Sequence, residues 1–198
     1  GTPSKLWLDH TLAEVFGVTE PLSASTADAT YDHLVEALAT DTFRPRALYE
    51  RFGIEFLATT DAATDELKAH SRLRDSGWSG RVVPTFRPDD VVDPDRPDFH
   101  ANLDRLADLT GEDTTTWAGY LSALRARRQA FVAAGAIASD HGHPTATTAD
   151  LPPGHAEARF ARVRQGSPEP ADAELFRGQM LTEMAAMSLD DGLVLQLH

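Results

Sequence analysis

Gly135-Ala136-Ile137-Ala138-Ser139-Asp140-His141-Gly142-His143 is an apolar run too short for a helix, and it ends abruptly in titratable side chains. It reads as a buried strand that delivers Ser139, Asp140 and His141 to one end of a sheet. Three other stretches repeat the plan: Ile54–Asp61, Arg81–Asp89 and Gly192–His198 are each apolar first and polar at the C-terminal end. Four strands carrying chemistry at the same end is the pattern of a parallel α/β barrel or sheet.

Between these strands the spacing predicts helices. Phe99, Leu103 and Leu106 mark one. Trp117, Tyr120, Leu121 and Leu124 mark a longer one whose last turns carry Arg125, Arg127 and Arg128, in accord with the helix dipole. The segments 64–74 and 155–164 are helix-like, with a turn over 165–168. Pro170 opens a final helix whose Met180, Met184 and Met187 form a core-facing stripe. Asp89–Asp98 is rich in Asp and Pro and reads as a loop. Alternating strands and helices imply a parallel sheet with right-handed crossovers. Upstream, a short helix with Leu6, Trp7, Leu12, Val15 and Phe16 ends at Gly17, its aromatics read as packing residues. A second begins near Ser25–Asp28 and carries Tyr31, Leu34, Val35 and Leu38. A third runs from Arg44 to Phe52, with Leu48 and Phe52 inward and Gly53 as its stop.

Composition narrows the function. A chain of 198 residues with 41% hydrophobic content can bury a sizeable core. A net charge of −13 argues against nucleic-acid and membrane-surface partners, which need a basic face. Lys5 and Lys68 are the only lysines, so the positive charge is almost all guanidinium, which suits carboxylate recognition. The absence of cysteine excludes disulfides and thiolate metal sites, leaving His, Asp and Glu as ligands. No apolar run reaches the roughly 18 residues of a membrane span, so a cytoplasmic enzyme is the default reading. The chain opens at Gly1 and stops at His198 directly after an apolar run, and both ends read as cut.

Phe86-Arg87-Pro88-Asp89, Ala138-Ser139-Asp140-His141-Gly142 and Leu195-Gln196-Leu197-His198, in that order and at those separations, resemble the uronate isomerase (glucuronate isomerase) family of the amidohydrolase superfamily. Leu22-Ser23 with Ser25–Asp28, Arg46-Ala47-Leu48, and Thr59-Thr60-Asp61 with Asp65, Leu67 and His70 support the resemblance. Where the family continues the Thr-Thr-Asp turn with Asp-Pro, this chain has Ala62-Ala63. The resemblance covers the middle of a longer family sequence, so it implies a partial (β/α)8 TIM barrel of about four parallel strands with flanking helices. Residues 1–52 would be a helical segment leading into the barrel, and residues 53–198 its central β/α units. The family's His-x-His pair and last-strand Asp lie outside the matched part.

The implied reaction is an aldose–ketose isomerisation: D-glucuronate to D-fructuronate, and D-galacturonate to D-tagaturonate, with a divalent metal such as zinc. By matching position, Arg87 would face the substrate or enediolate, Asp140 would hold the network, His141 would bind substrate, and His198 would sit at or next to the metal. The implied partner is a sugar acid, and a half-barrel with open edges implies a homo-oligomer. A fragment of this kind would be inactive by itself. Two alternatives remain: a metal-dependent hydrolase on the same scaffold, or a non-catalytic sugar-acid-binding remnant. His141-Gly142-His143 imitates a His-x-His metal pair but aligns with the Ser-Asp-His-Gly motif, so it reads as loop-forming or hydrogen-bonded. Asp89, Asp90, Asp93 and Asp95 lack the EF-hand spacing of a calcium loop and read as solvated. His10, His33, His70, His100 and His155 read as surface or packing residues.

Overall fold

The computed structural model describes residues 1–166 and 169–198, so the last two residues of the turn expected over 165–168 lie outside the described residues. The chain divides into two compact units, Gly1–Glu55 and Phe56–His198.

The first unit is helical. Thr2 caps α1 (Pro3–His10) by accepting from the Lys5 amide at 3.2 Å. The helix runs on through a π turn over Thr11–Val15 and stops at Gly17, whose φ of +73° a side chain would resist. α2 (Ala27–Leu38) and α3 (Pro45–Arg51) follow. Phe16 stacks on Phe43 at 4.9 Å, and Arg51 donates to the Val15 carbonyl at 3.0 Å. Two expectations change here. No residue of α1 is buried and Trp7 is 76% exposed, so Trp7 does not pack within this unit. In α3 the inward face is rotated by one residue, about 100° of helix, so that Tyr49 is buried while Phe52 is exposed.

The second unit is a four-stranded parallel sheet in the order β1-β2-β3-β4, covered by helices. The strands are β1 (Leu57–Ala62), β2 (Val82–Arg87), β3 (Ala138–His141) and β4 (Val194–Leu197). α4 (Lys68–Asp75) links the first pair. α5 (Asp89–Val92), α6 (Phe99–Thr110) and α7 (Trp117–Ala133) link the second, and α8 (Pro153–Arg164) and α9 (Pro170–Asp191) the third. This is the parallel α/β architecture expected, with every strand inside its expected range or within one residue of it.

The core lies between the sheet and these helices. Phe86 meets Phe131 edge-on at 5.1 Å, Tyr120 stacks on Phe160 at 4.7 Å, and Met180, Met184 and Met187 are fully buried. Each such side chain contributes roughly 1.5–3 kcal/mol by leaving water. The buried Tyr120 hydroxyl is satisfied by donating to the Val91 carbonyl at 2.7 Å.

Three local departures have physical causes. The expected loop 89–98 begins as the one-turn helix α5, because Pro88 precedes the turn and its carbonyl accepts from Val91 and Val92. The acidic run is only partly solvated: Thr64 donates to the buried Asp90 at 2.6 Å, and Arg177 clasps Asp93 and the exposed Asp95 at 2.9 and 2.6 Å. α7 runs to Ala133, so Arg127 and Arg128 stand in its last turns as expected, but their side chains are buried rather than facing solvent at the helix end. There Arg127 donates to the Ala63 and Asp65 carbonyls at 2.9 and 2.6 Å. Arg128, fully buried, takes both Asp191 oxygens at 2.5 and 2.9 Å.

α4 starts later than expected, since Leu67 sits at φ +56° and breaks the helical path before Lys68. β1 and β4 are the outer strands, and Leu57, Val194 and Leu197 remain substantially exposed there. No helix among the described residues is long and apolar enough to cross a membrane.

Candidate active site

Parallel pairing brings the polar ends of the strands to one rim. Phe86 pairs with Ser139, and Asp140 pairs with Gln196. Side chains alternate faces along a strand, so Phe86, Ser139 and His141 share the buried, helix-covered face. Arg87, Asp140 and His198 fall on the other. The ladder continues past β4, where the His198 amide donates to the His141 carbonyl at 3.1 Å. The last residue of the chain is thereby held in register.

These three residues converge. Arg87 Nε lies 3.5 Å from Asp140 Oδ2, Arg87 Nη2 lies 3.3 Å from His198 Nε2, and His198 Nδ1 lies 2.7 Å from Asp140 Oδ1. A guanidinium only donates, so His198 Nε2 accepts from Arg87, and Nδ1 carries the proton given to Asp140. Asp89 completes the group: its Oδ2 accepts from Arg87 Nε at 3.1 Å and its Oδ1 accepts from the Gly142 amide at 2.7 Å.

His141 does not join them. Its ring is fully buried, its Nε2 sits 3.0 Å from Ser139 Oγ, and its Nδ1 has no hydrogen-bond partner in the structure. Burial first, and then the neighbouring His143, push its imidazole down to about 4. Its side chain lies beneath the rim, on the opposite face of β3 from Asp140. The resemblance implies a substrate-binding role for His141, and the structure sets its side chain apart from Arg87, Asp140 and His198.

A cavity of about 280 Å³ opens beside the trio, lined by Thr60, Ala62, Arg87, Asp89, Asp90, Arg96 and Gly142. Asp90 is buried, and that burial raises its carboxyl above the ordinary range. A comparable cavity in the first unit, lined by Val18, Thr26, Thr30 and His33 among others, contains none of the rim residues. Asp89 and Gly142 were visible in the quoted motifs without a role, and only the fold shows that they touch.

Among the described residues no three His, Asp or Glu side chains stand where they could hold a metal ion. Both ring nitrogens of His198 are engaged in this arrangement, one by Asp140 and the other by the Arg87 guanidinium. The donors gathered here do not by themselves fit a metal centre.

Consecutive β/α units whose acid, imidazole and fixed cation gather at the C-terminal rim of a parallel sheet have the architecture of a segment of a TIM-type barrel. The glucuronate isomerase family model matches residues 1–198. The chain belongs to that family. A uronate isomerase of Mesorhizobium japonicum is 59% identical over 198 residues, all of this chain and 42% of the relative. The crystal structure of glucuronate isomerase from Caulobacter crescentus superposes with a TM-score of 0.95 at 54% identity, covering 100% of this chain and 41% of that one. A uronate isomerase from Thermotoga maritima shares the fold, with a TM-score of 0.91 at 24% identity over 100% of this chain and 44% of that one. The chain thus spans less than half the length of the relatives it matches.

Proposed function

We propose that this chain, as part of a polypeptide of its relatives' length, isomerises a uronate, interconverting D-glucuronate with D-fructuronate and D-galacturonate with D-tagaturonate. The observation that carries the reading is the convergence of Arg87, Asp140 and His198 at the strand ends.

In an aldose–ketose isomerisation a proton leaves C2 and one is returned to C1, while the hydroxyl proton of O2 moves to O1, so composition is unchanged. The intermediate enediolate needs positive charge where its oxygens become anionic, and Arg87 is a permanent cation pinned on two sides by carboxylates. His198 can hold or pass a proton at Nε2 while Asp140 fixes its tautomer through Nδ1. The divalent metal, zinc in our reading, would be a Lewis acid at the same rim. Because the donors present here do not form its site, none of these steps is routed through it.

The test is turnover of D-glucuronate and D-galacturonate by the relatives-length polypeptide, with and without Arg87→Gln. Activity that Arg87→Gln lowers at least about 10-fold supports the reading, on the scale set by losing one charge-stabilising donor. An inert parent, or an active one indifferent to that change, overturns it.

A further inference from the structure

We infer that Asp89 is a positioning residue of this site, acting through Arg87, and that Gly142 is the bare backbone position it requires. The inference rests on the uronate isomerase reading. Between β2 and β3 the described ladder contains a single register pair, Phe86 with Ser139. Asp89 and Gly142 lie equally far beyond that pair, Asp89 at the start of α5 and Gly142 just past the end of β3. Asp89 bridges the two with its side chain, taking the Gly142 amide at 2.7 Å. This single carboxylate holds the Arg87 end of β2 against the Asp140 end of β3.

The same carboxylate aims the guanidinium. Arg87 Nε has Asp89 at 3.1 Å and Asp140 at 3.5 Å, so Asp89 is the nearer acceptor. With Nε so occupied, Nη2 faces His198 at 3.3 Å. The side chain of Asp89 is mostly buried, which limits the water that could take its place. At Gly142 a Cβ would lie 2.9 Å from Asp89 Oδ1 and 3.0 Å from Arg87 Nη2, so any side chain pushes on both partners at once. Pro88 and α5 lock the backbone of Asp89 at the start of a turn, leaving the side chain little freedom to follow.

The experiment is a double-mutant cycle in the relatives-length polypeptide, read as kcat and KM for D-glucuronate. Asp89→Asn keeps an oxygen for the Gly142 amide and removes the charge that orients Arg87. Alone it lowers kcat by about 10-fold or more. In an Arg87→Gln background it costs less than about 2-fold, since a misaimed group that is already gone cannot be lost again. Equal losses in both backgrounds mean a merely structural role and overturn the inference while leaving the isomerase reading standing. A parent inert to D-glucuronate overturns both. If Asp89→Asn fails to fold, Gly142→Ala run through the same cycle decides by the same criterion.

Discussion

His198 Nδ1 lies 2.7 Å from Asp140 Oδ1 across 58 residues of chain, and Arg87 closes the triangle from a third strand. Because Asp140 dictates the tautomer of His198, the two act as one unit. In the relatives-length polypeptide Asp140→Ala and His198→Asn should each lower kcat by roughly 10²-fold or more, the usual scale for a general acid–base group. The double variant should be little worse than either. Steady-state kinetics of the three variants checks this, and multiplicative losses would show that the residues work separately.

The 198-residue chain alone should not turn over uronate. Its described residues offer no group of three metal ligands, and β1 and β4 leave both sides of the rim open to water. The assay is ketose formation from D-glucuronate by a preparation whose mass confirms the chain length. Measurable turnover would refute the expectation.

Acid should weaken the fold through His141. Its imidazole titrates near 4 in the folded chain against an ordinary 6.5, chiefly because of burial. Between those values the unfolded chain binds a proton that the folded one refuses. This contribution is whole above about pH 6.5 and is lost as the pH falls toward 4, by about 2–3 kcal/mol. Burial lowers His143 in the same sense, whereas the raised carboxyl of Asp90 acts oppositely. Urea unfolding of the parent and of His141→Phe therefore needs comparison at several pH values. The parent's advantage should shrink on acidification, and a constant difference would exclude His141 as the cause.

Arg128→Met should cost about 3–5 kcal/mol of unfolding free energy, because Asp191 would lose the cation that both its oxygens bind. Asp191 also accepts from the Leu193 amide at 3.0 Å, so the junction between α9 and β4 depends on it. Adding Asp191→Asn to Arg128→Met should recover part of the loss by removing the stranded charge. Chemical denaturation of the two variants is the measurement, and a loss below about 1 kcal/mol for Arg128→Met would contradict the account.

Much of this architecture was legible in the sequence. Short apolar runs ending in Asp61, Arg87, Asp140 and His198 announce strands with polar C-terminal ends, and the helical spacing of Phe99, Leu103 and Leu106 needs only the 3.6-residue period. What the sequence did not show follows from three-dimensional partners. The burial of Arg128 is tolerated because Asp191, far along the chain, meets it. Asp93 looks like a solvent-facing acid until Arg177 arrives from α9. His141 sits beside Asp140 in sequence but on the opposite face of β3, and a motif read as a string of letters does not record that alternation. Asp89 was quoted for its place in a motif, while its bond to Gly142 depends on a register that the letters leave open.

The strands stand in the sheet in the order in which they occur in the chain. Each new strand therefore finds its partner already made, and no pairing waits for a segment synthesised much later. Loop closure is met one β/α unit at a time, an arrangement that suits vectorial assembly during translation.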